Sequence, residues 1–477
     1  MNKIDNLTSD WKWSIGIIHL GFLPLFVGAT FYYLERLSGC AAQDIFEVIN
    51  SGSFFLIHNR LVHFFSQWLP LLCFHLGLKL SGVLLVFSAS SVLHHYLFSM
   101  FCLFILKDRN AAVGILLVQY FGVTSSYYTN PHLEIQYCIS LGIVLQSLLV
   151  TKELTNGFRW VLAVAVIFLL INSYLATAVF IPFVILLNWK HLGVRNLLVY
   201  VGAVLFSFGY KFAFLDTYVA GVLDFQLVNS TPDSHLEGVS LFIASFFNRR
   251  ILELVAVLLL FILLIQKKSW GVFFLLKLFI VLYVSLIVHF YGDGTYSEHI
   301  GLPITFFIIT TWVFVMSKFK KVPYVSMIAL ALFIILKSVI IFGLVGSWYS
   351  SQTNALLEVL RKTRCLPSSQ VVLDDDSYDL PFSNQALYQR SLLYSKAMGR
   401  KNCVGIMVRD GVVNNLTDLG VHMPHKQDLK PDEYANDYFL NWLNSKADEI
   451  SIDSDVFPMK DDGFILIDES ELCIVDS

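Results

Sequence analysis

The chain has 477 residues, of which 56% are hydrophobic and only 14% charged, with a mean hydropathy of +0.65. Soluble globular domains carry about 25% charged residues, so these values exclude a soluble enzyme and predict a polytopic membrane protein. Residues 1–346 hold 21 Lys and Arg against 15 Asp and Glu, whereas residues 347–477 hold 12 against 21. This division predicts a membrane domain over 1–346 and a soluble, acidic domain over 347–477.

A transmembrane helix needs roughly 20 apolar residues, and shorter runs are tolerated within a bundle. This criterion predicts an all-α membrane bundle of eleven spans, at 13–35, 80–106, 111–127, 136–151, 158–174, 176–189, 196–216, 251–266, 270–291, 300–316 and 324–346. The run 61–78 is also apolar, but it contains His63, Gln67, Pro70 and His75. We interpret it as an interfacial or re-entrant helix that does not cross the bilayer.

The distribution of basic residues predicts the orientation of the chain. With eleven spans, thirteen Lys and Arg fall in loops on the side of the N-terminus, and five fall in loops on the other side. Because cytoplasmic loops collect Lys and Arg, the N-terminus is expected in the cytoplasm and the acidic domain outside it. In a bacterium the location would be the plasma (inner) membrane.

Polar residues near membrane depth are candidates for function because they are costly to bury there. Asp44 and Glu47 follow the first span and are three apart, so on a helix they share one face. A partly desolvated carboxylate at this place suits a general base, although a hydrated loop with an ordinary acidic pair has the same pattern. His94 and His95 lie within the second span, and we interpret them as buried, hydrogen-bonded core residues.

Other outer segments carry groups that suit phosphates, sugars or cations. His132 and Glu134 precede the fourth span and are candidate ligands of a divalent cation such as Mg²⁺ or Mn²⁺, although Asn130 and Pro131 also resemble an ordinary helix start. Arg249 and Arg250 suit an anionic phosphate group or an interfacial anchor. Tyr296, Glu298 and His299 belong to a polar loop before the tenth span and suit hydrogen bonding to a sugar or phosphate.

The acidic domain alternates strand-like and helical runs, which predicts a small α/β or α+β fold. The expected strands are 370–373, 404–408, 464–467 and 472–475, and the expected helices are 385–398 and 433–446. Seven cysteines show no metal-binding spacing, and Cys365 and Cys403 could form a disulfide in an oxidising compartment. No nucleic-acid partner is expected.

The layout resembles the GT-C class of membrane glycosyltransferases, which use polyprenyl-phosphate sugars. The resemblance comprises an acidic residue soon after the first span, Asp44 with Glu47, the run His58-Asn59-Arg60 leading into 61–78, about eleven spans and a C-terminal outer domain. It implies that Asp44 is the catalytic base, Glu47 its helper and Glu134 a second acidic residue. His58, Arg60, Arg249, Arg250, Tyr296, Glu298 and His299 would bind the substrate.

The sequence departs from this class in two respects. Asp44 is not part of an Asp-Glu or Asp-Asp dipeptide, and His58-Asn59-Arg60 stands where mannosyltransferases of the class have His-Pro-Pro. A transporter or flippase of a lipid-linked or anionic substrate would use the same outer polar groups. A polymerase or ligase of surface glycans is a third possibility.

Overall fold

The computed structural model describes most of the membrane part and the centre of the acidic domain. The described residues are 2–37, 40–56, 59–121, 131, 134–214, 251–291, 297–317, 324–363, 366, 368–373, 386–408, 443–445, 450, 452–459 and 463–467. They form fifteen α-helices and three β-strands. The helices are α1 (Asn2–Phe31), α2 (Cys40–Ser51), α3 (His63–His75), α4 (Leu80–Met100), α5 (Arg109–Phe121), α6 (Glu134–Val150), α7 (Asn156–Ser173), α8 (Phe180–Leu187), α9 (Val194–Ala213), α10 (Ile251–Gln266), α11 (Trp270–Tyr291), α12 (Ser297–Met316), α13 (Tyr324–Leu344), α14 (Ser350–Lys362) and α15 (Leu387–Ala397).

Among the residues that the structure describes, five helical segments are long and apolar enough to cross a membrane, which supports a multi-pass membrane protein. They are Trp13–Phe31, Leu80–Ile105, Asn156–Ser173, Val194–Ala213 and Leu330–Lys362. Shorter apolar helices are Glu134–Val150, Thr177–Leu187, Val257–Gln266, Trp270–Ser285 and Ile304–Met316. A helix satisfies its own backbone hydrogen bonds, which is why apolar runs of this kind adopt it in lipid.

The membrane core is centred on α5 and α6, whose side chains are buried almost all round. Both helices pack against α12. Gly142 of α6 permits this approach, because a Cβ at that position would overlap the ring of Phe306. Phe306 in turn stacks on Phe180 with 3.9 Å between ring centroids. The short apolar helices α6, α8 and α12 therefore pack directly on one another.

Helices α1 and α4 are antiparallel neighbours. Near the middle of α1, the Tyr96 hydroxyl is 3.0 Å from His19 Nδ1, and near its end the Ser88 hydroxyl donates to the Ala29 carbonyl at 2.6 Å. The chain thus leaves the bundle after α1 and re-enters at α4 on the same side. The segment between them, which includes α3, begins and ends on the same side of the bundle. This geometry agrees with the interpretation of 61–78 as a helix that does not cross the bilayer, which stays a prediction.

The acidic domain contains a parallel three-stranded sheet in the order β2-β1-β3, formed by β1 (Gln370–Leu373), β2 (Gly405–Val408) and β3 (Phe464–Ile467). Gln370 of β1 pairs with Gly405 on one side and with Phe464 on the other. The three strands and the helix expected at 385–398 are confirmed. The expected strand 472–475 and most of the expected helix 433–446 lie outside the described residues, although Leu443–Ser445 is helical.

The link between the two parts is helical. The predicted boundary at 346/347 falls in a π-helical turn, Val345–Tyr349, that joins α13 to α14. Cys403 is a buried free thiol, so the suggested disulfide is not formed, and Cys365 lies outside the described residues.

A second hydrophobic core unites the acidic domain with α2. It contains Ile45, Phe46 and Ile49 of α2 together with Leu393 of α15 and Ile406 of β2. It also contains Val83, Leu84 and Phe87 from the first turns of α4, and it is distinct from the larger core formed by the other membrane helices. Helix α2 therefore lies between the membrane bundle and the acidic domain.

Candidate functional site

Asp44 lies on α2 and its side chain is completely buried. The helix is amphipathic because apolar residues recur every three to four positions, and Asp44 shares their buried side. Gln67 of α3 donates a hydrogen bond from Nε2 to Asp44 Oδ1 at 2.9 Å. Asp44 Oδ2 lies 3.8 Å from His63 Nδ1. Two polar side chains of α3, Gln67 and His63, therefore lie next to the Asp44 carboxyl.

Gln67 is fixed by the backbone of the segment between α2 and α3. Its Oε1 accepts a hydrogen bond from the Phe55 amide at 3.0 Å, and its Nε2 also donates to the Phe55 carbonyl. Its side chain amide therefore has a defined orientation, with Nε2 facing Asp44. The hydrogen bonds of Gln67 therefore connect α3 both to the turn after α2 and to the Asp44 carboxyl on α2.

Burial raises the pKa of Asp44 well above its usual value, and the nearby Glu134 and Glu47 carboxyls act in the same direction. The hydrogen bond from Gln67 opposes this shift. Burial also raises the pKa of Glu47 from its usual value of 4.5 to about 7. Glu47 is half-buried, and its carboxyl makes no hydrogen bond with any described residue. The acidic pair thus holds protons to a higher pH than ordinary surface carboxyls.

Glu134, in the first turn of α6, forms an ion pair with Arg60, which precedes α3. The Arg60 guanidinium also lies over the ring of Tyr174, 5.4 Å from its centroid. Two backbone contacts hold the neighbouring residues in place, because Leu61 N donates to Asn172 O at 3.4 Å and Val62 N donates to Ser173 Oγ at 3.0 Å. The end of α7 therefore positions Arg60 beside Glu134.

The structure thus brings together four of the residues that the sequence singled out. Asp44, Glu47, Arg60 and Glu134 form one cluster, in which Asp44 interacts electrostatically with both other carboxyls. His58, His132, Arg249, Arg250 and Tyr296 lie outside the described residues. Glu298 and His299 are in the first turn of α12.

Arg36 is a buried residue of this region that the sequence did not identify as a site residue. It follows α1 and is only 2% exposed. Its Nη2 donates to Ser91 Oγ at 2.7 Å and to Ser88 O at 3.3 Å. The spacing of Ser88, Ser91 and His95 along one face of α4 is the signal in the sequence that a polar partner packs there.

The two histidines of α4 are buried and hydrogen-bonded, as predicted. His94 Nε2 accepts a hydrogen bond from Trp68 Nε1 at 2.7 Å, while His94 Nδ1 contacts the Ser90 carbonyl at 2.6 Å. These partners require a proton on Nδ1 and a lone pair on Nε2, which is the neutral tautomer. His95 Nδ1 lies 2.9 Å from Ser140 Oγ, and the ring stacks on Tyr137.

The described residues do not form a divalent cation site. No group of three or more His, Cys, Asp or Glu side chains converges in this part of the chain. Glu134 is bonded to Arg60 instead.

Comparisons with known proteins found no protein-family model, no curated protein and no solved structure that matches this chain. The interpretation of the site consequently depends on its own geometry.

Proposed function

We propose that the chain is an integral membrane glycosyltransferase of GT-C type, which moves a sugar from a polyprenyl-phosphate donor to an acceptor hydroxyl. The cluster of Asp44, Glu47, Arg60 and Glu134 is its active site. In this proposal about eleven helices cross the membrane, and the site lies on the extracytoplasmic face. The supporting observation for that side is the excess of Lys and Arg in the opposite loops.

One observation carries the proposal: Asp44 and Glu134 are 90 positions apart in sequence, yet the Glu134 carboxyl lies close enough to Asp44 to raise its pKa. Two acidic groups are rarely buried together beside a membrane without a function. The raised pKa of Asp44 is of the kind that general acid and base catalysis requires. A lipid-linked donor would meet these groups without leaving the membrane.

The proposed reaction is an inverting displacement. The Asp44–Glu47 pair, once ionised, accepts the proton of the acceptor hydroxyl, and the hydroxyl oxygen forms a bond to the anomeric carbon. The bond from that carbon to the phosphate oxygen breaks, and its electron pair leaves with the lipid phosphate.

Arg60 is the candidate phosphate contact among the described residues. Its side chain is 20% exposed, whereas Glu134 is only 6% exposed, so the guanidinium retains access to a ligand. Arginine matches the geometry of phosphate oxygens and stays charged. In this proposal Arg249 and Arg250 would add further positive charge near the lipid phosphate.

The substitution Asp44→Asn tests the catalytic assignment. Asn keeps the shape of the side chain and an oxygen that can accept from Gln67, but it cannot take a proton. We expect sugar transfer to fall by about 10²–10⁴-fold, with donor binding retained. The assay uses purified protein in liposomes with a panel of radiolabelled polyprenyl-phosphate hexoses and pentoses.

Glu153→Gln is the matched control, because Glu153 pairs with Lys107 at the opposite end of α6 and both side chains are well exposed. Its transfer rate should equal that of the unmodified chain. Full transfer by a correctly inserted Asp44→Asn protein would overturn the assignment. Movement of the lipid-linked donor across the bilayer without transfer would favour the transporter instead.

A further inference from the structure

The C-terminal domain contacts α2 at two places and the segment before it at one. Before the helix begins, the Tyr394 hydroxyl of α15 donates to the Leu34 carbonyl at 2.6 Å. In the middle of the helix, Phe46 packs against Phe457 with 5.0 Å between ring centroids. Near its last turn, Asn50 Oδ1 accepts a hydrogen bond from the Asp453 amide at 2.7 Å.

These contacts involve residues more than 350 positions apart in sequence, and they agree with the distribution of buried apolar residues. The apolar side of α2 belongs to the same core as β1, β2 and α15, which also includes the first turns of α4, and not to the larger core of the membrane bundle. Asp44, on that helix, meets α3 of the membrane part through Gln67. The C-terminal domain thus contacts α2 directly, and the Asp44 carboxyl of the same helix contacts α3 of the membrane part.

We propose that the C-terminal domain positions α2 for catalysis, with Tyr394 and Asn50 as positioning residues. This inference rests on the proposed function for its catalytic consequence only. The relative placement of Asp44, Gln67 and Glu134 is set by contacts from both domains. A displacement of the C-terminal domain would shift the Asp44 carboxyl away from Gln67 without changing any residue of the site.

Tyr394 is itself held in place, because its hydroxyl accepts a hydrogen bond from Arg390 Nε at 3.1 Å. Arg390 is 2% exposed, and its Nη2 donates to Thr353 Oγ1 of α14. The hydroxyl therefore connects α14 and α15 to the end of the first membrane helix. Loss of this hydroxyl should loosen the attachment while the aromatic ring still fills its place.

The experiment measures hydrogen–deuterium exchange of the α2 amides in the full-length protein in nanodiscs. Tyr394→Phe and Asn50→Ala should each raise exchange in α2 by about tenfold, which corresponds to one hydrogen bond of ordinary net strength. Tyr388→Phe is the matched control, because that hydroxyl lies 3.9 Å from Met459 Sδ within the C-terminal domain. It should leave α2 exchange unchanged.

Unchanged α2 exchange in both variants, or an equal rise in the Tyr388→Phe control, would overturn the inference. The same proteins are assayed for transfer, where a positioning role predicts a lower kcat with an unchanged KM for the donor. If the unmodified chain transfers no sugar but the exchange results hold, the proposed function fails and the positioning of α2 stands. If transfer is normal in both variants despite faster exchange, the catalytic consequence is wrong.

Discussion

At the scale of single residues, Glu47 gives a pH dependence whose sign can be worked out. Its pKa is raised by burial from 4.5 to about 7, so the folded protein keeps a proton that the unfolded chain has already lost. Stability should therefore fall as the pH rises from about 4.5 to about 7 and then stay level. Glu47→Gln removes this contribution and should be more stable than the unmodified chain above pH 7.

The measurement is the difference in Tm between Glu47→Gln and the unmodified chain across pH 4.5–8 in detergent micelles. Taking the difference cancels the contribution of Asp44, whose raised pKa acts in the same direction. Glu358→Gln controls for the loss of one negative charge, because Glu358 is exposed and pairs with Lys362. A constant difference in Tm at every pH would contradict the prediction.

The sequence could identify Asp44 and Glu47 as a pair because spacing on a helix is a local property. It could not indicate that Asp44 is completely buried while Glu47 is only half-buried. That difference arises from α3 and the C-terminal domain, which pack on different sides of α2. For the same reason Arg36 resembled an ordinary loop charge, although its partners Ser88 and Ser91 lie more than 50 positions later.

At the scale of helices, the ion pair of Arg60 and Glu134 connects the start of α3 to the start of α6. Glu134→Gln leaves the mostly buried guanidinium without its carboxylate, and we expect a loss of about 1–3 kcal/mol in the free energy of unfolding. The exposed pair of Lys107 and Glu153 is the matched comparison. Glu153→Gln should cost no more than about 0.5 kcal/mol.

Reversible denaturation in mixed micelles measures both values. The double variant Arg60→Gln with Glu134→Gln should recover part of the loss, because no buried charge then remains without a partner. Equal effects of Glu134→Gln and Glu153→Gln would show that the Arg60–Glu134 pair contributes no more than a surface pair.

Helices of the membrane part were predictable because a long apolar run is sufficient to specify one. The α3 segment was harder, since its length and hydropathy resemble a short span. Its polar residues His63 and Gln67 distinguished it, and these are the residues that face Asp44. The geometry of the loops between the helices follows from tertiary contacts, which no local pattern encodes.

At the scale of the whole molecule, the charge balance of the sequence changes at residue 346, but the hydrophobic cores do not follow that boundary. Helix α2 precedes the boundary by 300 positions and yet belongs to the core of the C-terminal domain. The sequence could predict the strands of that domain from their apolar runs. It could not predict that an early helix completes the domain's core.

This arrangement predicts that a substitution that destabilises the C-terminal sheet also destabilises α2 but leaves the membrane core unchanged. A Cβ at Gly405 in β2 would overlap the buried ring of Tyr388, so Gly405→Ala should destabilise the domain by about 1–3 kcal/mol. Hydrogen–deuterium exchange should then rise together in β2, α15 and α2, while α5 and α6 stay protected. Gly202→Ala is the control, because a Cβ there meets no atom within 4 Å, and its exchange should be unchanged throughout. If the sheet opened and α2 stayed protected, α2 would belong to the membrane core, and the two hydrophobic cores would follow the boundary at residue 346 after all.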